Sequence, residues 1–183
     1  MAFWYSDTED RTGAWHWIGI AISLCHTLGL HRNPETANPS HRLPRARISI
    51  LKRIWWSCVV RDKWLSLSMG RPMRINPKDC QMPMPSSEDV VAELQEIPVH
   101  IRERYIPSNP EWLADLWVKL LKISDLLGTI ISIFYKQEAR KADQADMDLC
   151  QSRLLQCFVP IDERSLKDSI SLIHTYQLQL FYE

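Results

Sequence analysis

Side chains able to do chemistry gather in three places along this chain. The first is Cys25, His26 and His31. Neighbours on a helix point about 100° apart, and a helical zinc pair needs i, i+4 spacing, which no two of these residues have. The second is the pair Cys150 and Cys157, which has no CxxC partner to make a metal or redox motif. The third is RIWWSCVVRDKWLSLSMGRP, Arg53 to Pro72, with three tryptophans, Cys58, and Asp62 set between basic residues.

Catalytic signatures are missing: there is no GxSxG turn, no HExxH, no GxxxxGK[ST], and the five glycines leave little material for phosphate-binding loops. The sequence therefore predicts no enzyme, no catalytic residue and no metal ligand. Asp62 is the exception that needs an explanation. It shares a helical stripe with Trp55, Cys58 and Leu65, where an unpaired carboxylate is costly to bury. Arg71 and Arg74 follow the end of that helix, and either one folding back would supply an ion pair tying the helix to the segment after it. Trp55 and Trp56 are adjacent, so one is expected in the core and the other at a second interface.

The elements that position these residues read as helices. The first runs from about Ala14 to Leu28 and stops at Gly29, since glycine tolerates the left-handed conformation of a helix C-cap. His31 to Pro44 is rich in Pro, Asn and Ser and reads as a loop. The second helix runs from about Arg45 to Met69, with Ile48, Leu51, Trp55, Cys58, Leu65 and Met69 on one face and a stop at Gly70, reinforced by Pro72. Arg71 to Pro85 carries four prolines and is expected to be an ordered, extended crossing segment held down by Met73, Ile75, Met82 and Met84. A further irregular stretch surrounds Pro98, Pro107 and Pro110. A long helix follows, about Glu111 to Lys141, with Leu113, Leu116, Trp117, Leu120, Leu121, Ile123, Leu127, Ile130, Ile131 and Phe134 on its buried face. Two more are expected, near Met147 to Cys157 and Glu163 to Phe181, separated by Pro160. No strand pattern emerges, so the fold class is all-α: an irregular multi-helix domain. The apolar residues near both ends suggest a fragment of a larger helical domain.

Composition narrows the functional classes. With 183 residues, 45% hydrophobic and 24% charged, the chain has material for one substantial core. Its 22 basic and 22 acidic residues cancel, so it lacks the bulk positive field that drives nucleic-acid binding. Five scattered cysteines fit reduced thiols inside a cell better than a disulfide framework. Gly13 to Leu30 has no Asp, Glu, Lys or Arg and approaches the length of a membrane span. Its two histidines, its polar residues and the lack of a basic N-terminal flank favour a buried helix over a membrane anchor.

Three blocks together resemble the fungal-specific transcription factor domain, the regulatory middle region of fungal binuclear zinc-cluster transcription factors. WIGIAISLCHTLGLHRNP, Trp17 to Pro34, looks like that family's helix ending in a Leu-Gly-Leu-His-Arg element, here Leu28, Gly29, Leu30, His31 and Arg32. KRIWWSCVVRDKWLSLSMGRPMRI, Lys52 to Ile75, looks like its Arg-x-x-Trp-Trp helix, here with Trp55, Trp56 and Asp62 and the stop Gly70, Arg71, Pro72. DCQMPMP, Asp79 to Pro85, is similar to its acidic-then-proline segment. The likeness is strongest over residues 14–85; farther on, LLQCFVP, Leu154 to Pro160, is a weak echo with Cys157 where a tryptophan is expected.

The resemblance implies a nuclear regulator of RNA polymerase II transcription, with coregulators or other parts of a parent protein as partners. Residues 1–183 would be part of that regulatory domain, without the zinc-cluster DNA-binding domain. Zinc and DNA contacts are expected only in the N-terminal cluster of a full-length parent, and no cofactor is expected in this chain. A narrower similarity to regulators of fatty-acid and cutinase genes suggests a small lipophilic effector.

Overall fold

A computed structural model describes residues 11–37, 43–94, 97–106, 109–134 and 144–157. Among them are seven α-helices and no strand. They are α1 Arg11–Thr27, α2 Pro34–Ala37, α3 Arg45–Met69, α4 Ser87–Leu94, α5 Val99–Tyr105, α6 Pro110–Phe134 and α7 Gln144–Cys157, with a 3₁₀ turn at Pro77–Asp79. The chain divides into two compact units, Met1–Met84 and Pro85–Glu183.

In the first unit α1 packs on α3. Buried Ala14, Ile18, Ile22 and Cys25 recur at three- and four-residue steps along α1, giving it one core face. They meet Trp55, Cys58 and Val59 of α3, and the layer is closed by Leu30, Ile75 and Met82 from the segments after the two helices. The outer face of α1 is also apolar: Trp17, Ile20, Leu24 and Leu28 are exposed.

Both expected glycine stops are present, and for the expected reason. Gly29 has φ 73° and Gly70 φ 60°, a region that costs an L side chain about 1–2 kcal/mol. At each, the glycine N–H returns to the carbonyl three residues back, His26 or Leu67. The next residue returns five back, Leu30 to Cys25 and Arg71 to Ser66. This is the Schellman arrangement, which satisfies carbonyls that the helix end would otherwise leave open.

The buried stripe of α3 is rotated from the one the hydrophobic pattern predicts. Trp55, Cys58 and Asp62 are buried as expected, but Ile48, Leu51, Leu65 and Met69 are half-buried, while Ser49, Lys52, Val59, Lys63 and Ser66 are buried. Within the expected loop after α1, the short α2 forms, with the Asn33 side chain accepting from the Glu35 N–H at 3.0 Å.

In the second unit α6 is the central helix, with α4 and α7 against it. Its buried residues include Ala114, Leu116, Leu121, Ile123, Leu126 and Ile131. The Asn109 side chain caps its start by accepting from Trp112 N–H at 3.1 Å. The helix is described to Phe134, so the expected stretch to Lys141 lies outside the described residues, as does the expected helix from Glu163 to Phe181. Two elements were not expected. α5 forms directly after Pro98, inside the stretch read as irregular. α4 is started by a reciprocal cap in which Ser86 N–H donates to Asp89 and Asp89 N–H to the Ser86 hydroxyl, both at 3.2 Å.

Candidate functional site

Cys150 and Cys157 lie on α7 in the second unit; the other residues singled out in the sequence converge in the first unit, where the end of α1, the middle of α3 and the segment 71–84 meet. Trp55 is 1% exposed and forms the floor. The His26 and His31 rings lie 5.5 and 6.2 Å from its ring and 5.1 Å from each other. Trp56, one residue on, turns away and is half-buried, its indole N–H donating to the Pro83 carbonyl at 3.0 Å. The expected division of the two tryptophans between core and a second contact is therefore realised.

The His31 carbonyl accepts from the backbone N–H groups of Gln81 and Met82 at 2.7 and 3.1 Å, which pins the crossing segment to the turn after α1. Its side-chain Nε2 accepts from Arg32 Nε at 3.3 Å. Burial, then the neighbouring His26 and Arg32, hold the His31 imidazole below its ordinary pKa, because each disfavours the cation. Pro72 lies exposed just past the glycine stop, where its missing N–H is not required.

Asp62 is fully buried. Its Oδ2 accepts two backbone hydrogen bonds, from Arg74 N–H and Ile75 N–H, each at 2.9 Å. The expected partner was the guanidinium of Arg71 or Arg74. The link to Arg74 exists, but its backbone makes it, and the side chain goes elsewhere. Burial pushes the Asp62 carboxyl above its ordinary pKa; the two N–H groups and the positive charges of Arg74 and Lys63 work in the opposite direction.

The Arg74 guanidinium lies over the Trp15 ring, 3.6 Å from its centroid, and donates to the Trp15 carbonyl at 2.7 Å. Arg71 stands over the same ring at 5.2 Å. Such contacts contribute about 0.5–2 kcal/mol depending on how dry they are. Gly19 makes room for this: a Cβ there would come within 3.2 Å of the Arg74 Cζ. Trp15 and Gly19, one helical turn apart, thus form a bare shelf on α1 that receives the arginine. Sequence reading missed both residues; the signal available was their i, i+4 spacing in a stretch, Gly13 to Leu30, without Asp, Glu, Lys or Arg.

The arrangement is a clasp. Two acceptors, the buried Asp62 carboxylate and the His31 carbonyl, and one aromatic platform, Trp15, hold the proline-rich segment against two helices. Among the described residues no three His, Cys, Asp or Glu side chains are placed to hold a metal ion, and no helix is long and apolar enough to cross a membrane. The hydrogen bonds named position backbone or side chain, while Asp62 Oδ1 and His31 Nδ1 are buried without a hydrogen-bond partner.

Comparison with known proteins gives this clasp a context. The profile described as Fungal specific transcription factor domain matches residues 1–178. The chain is 44% identical over 94 residues to "Cutinase transcription factor 1 beta" of Fusarium vanettenii, covering 51% of this chain and 10% of that protein. It is 25% identical over 153 residues to "Cutinase transcription factor 1 alpha" of the same fungus, covering 83% and 16%. It is 37% identical over 89 residues to "Acetamidase regulatory protein" of Aspergillus fumigatus, covering 46% and 11%. The chain thus spans 10–16% of the length of these relatives. No solved structure matches it.

Proposed function

Because the chain belongs to the Fungal specific transcription factor domain family, whose members here are transcription regulators, we propose that it is the regulatory module of a nuclear RNA polymerase II transcription factor. It works through contacts with coregulators or with other parts of its parent protein. The observation that carries this reading is the family match over residues 1–178, joined to a clasp whose conspicuous side chains are engaged in holding structure. Zinc and sequence-specific DNA binding belong, on this reading, to a zinc cluster in the parent and to none of the residues described above. Purified chain is then expected to retain no stoichiometric zinc and to give no sequence-specific gel shift.

The direct test places the chain between a heterologous DNA-binding domain and an activation domain in fungal cells. Reporter output should change relative to the fusion without it, and Asp62→Ala, which opens the clasp, should reduce that change. Output identical to the chain-free fusion overturns the reading.

A small lipophilic effector is a second component, favoured by one observation. An apolar cavity of about 300 Å³ lies between α6 and α7, lined by Ile130, Ile133, Met147, Cys150 and Leu154, with Asp148 and Gln151 at its polar edge. A dansylated fatty acid should bind saturably and lose affinity in Leu154→Arg; absence of saturable binding removes the effector from the proposal.

A further inference from the structure

Cys25 of α1 and Cys58 of α3 are free thiols separated by 33 positions in sequence, and the fold brings their Sγ atoms to 3.7 Å. Both are buried, 4% and 7% exposed, in the core where the two helices meet. A disulfide needs its sulfurs about 2.0 Å apart, so about 1.7 Å of approach separates this pair from bonding distance.

We infer that Cys25 and Cys58 are a reversible redox pair, oxidised by hydrogen peroxide to a disulfide that staples α1 to α3. The thiolate of one cysteine attacks the peroxide O–O bond, which breaks; the sulfur becomes a sulfenic acid and the displaced oxygen leaves as water after taking a proton. The second sulfur then displaces the sulfenic hydroxyl, which also leaves as water, and the S–S bond forms. Two S–H bonds and one O–O bond break, one S–S and two O–H bonds form, and the two electrons lost by the sulfurs reduce the peroxide.

The surroundings set when this happens. Burial raises both thiols and pushes Cys58 to about 12, so the closed core holds almost no thiolate there. The hydrogen bond between the sulfurs partly offsets burial at Cys25. Oxidation is therefore slow in the packed state: transient separation of α1 and α3 admits the peroxide to one thiol, and closure returns the second sulfur to the sulfenic one, so the disulfide records opening of this unit. Cys80, half-buried and donating to the Asn76 carbonyl at 3.2 Å, is an internal comparator in the same chain.

The test uses the intact wild-type chain with hydrogen peroxide, with and without urea below its unfolding midpoint, followed by peptide mapping under non-reducing conditions. A linked Cys25–Cys58 peptide 2 Da lighter than its reduced parts, faster in urea, reversed by dithiothreitol and accompanied by a higher Tm, is the expected result. Cys25 and Cys58 remaining thiols while Cys80 is oxidised overturns the proposal, as does linkage of either one to a different cysteine. Cys25→Ala abolishes the linked peptide if it folds; the wild-type readout stands without it.

Discussion

Asp62 gives the sharpest test of the clasp. Asp62→Ala removes the oxygen that accepts Arg74 N–H and Ile75 N–H, and leaves two backbone donors without it at a junction where Ile75 is buried. Hydrogen bonds to a carboxylate are worth about 1.5–3 kcal/mol each, so the gross loss is about 3–6 kcal/mol. Part is recovered, because the other oxygen, Oδ1, is buried without a hydrogen-bond partner and the variant no longer buries it. A net loss of about 3 kcal/mol is expected, which at a urea dependence of about 2 kcal/mol/M lowers the midpoint by about 1.5 M. Asp62→Asn keeps one accepting oxygen but puts an amide NH2 where Oδ1 is buried without a partner, so it should cost about 1–2 kcal/mol. Tryptophan fluorescence in urea at pH 7 checks the order wild type, Asn, Ala. An Ala variant as stable as wild type, or an Asn variant as damaged as Ala, refutes the assignment of the two N–H groups to Oδ2. The pH dependence has a definite sign. Burial raises the folded-state pKa above the ordinary 3.8, so the folded chain binds this proton more tightly than the unfolded one. The contribution is fully present below 3.8 and declines as pH rises through the folded value; Asp62→Asn removes that decline.

Other expectations follow from the same geometry. Trp55→Ala should cost about 3–5 kcal/mol as a buried aromatic truncation, and an unchanged denaturation midpoint contradicts its place in the core. Trp56→Phe deletes the indole N–H to Pro83 together with one ring of a half-buried side chain and should cost at least about 1 kcal/mol, read as a midpoint shift with an unchanged denaturant slope. Trp15→Leu and Arg74→Met should couple by about 0.5–2 kcal/mol in a double-mutant cycle, and strictly additive losses reject the cation–π contact. Gly70→Ala places a side chain at φ 60° and should cost about 1–2 kcal/mol, whereas Gly13→Ala, within α1, should not show that penalty.

The parts of the fold that were legible in the sequence are those written in local chemistry. Gly29 and Gly70 announce helix ends because the left-handed turn is a property of one residue, and both ends appear within a residue or two of expectation. The start of α4 is equally local, since Ser86 and Asp89 stand at capping-box spacing, though no helix was expected there. The rotated stripe of α3 was not legible. Hydrophobicity ranks Ile48 and Leu65 above Lys52 and Lys63, yet a lysine carries an apolar stem, and only the position of neighbouring elements decides which side of the helix is covered.

The site shows the same division at closer range. A carboxylate on an apolar stripe demands a partner, and the sequence pointed to the segment just past Gly70, which is where the partner lies. It named the wrong group, because every residue has a backbone N–H and a one-dimensional pattern gives none of them prominence over an arginine side chain. Two backbone donors are also the better solution for this place. They are fixed by the turn, carry no side-chain entropy, and leave Arg74 to reach Trp15, so one residue ties the crossing segment to α3 through its backbone and to α1 through its side chain. Had the guanidinium paired with Asp62 instead, α1 would have lost that hold. The approach of Cys25 to Cys58 then follows from the clasp: α1 is registered on α3 at one end by Arg74 on Trp15 and at the other by the His31 carbonyl, and the two thiols lie along the helices between these fixed points.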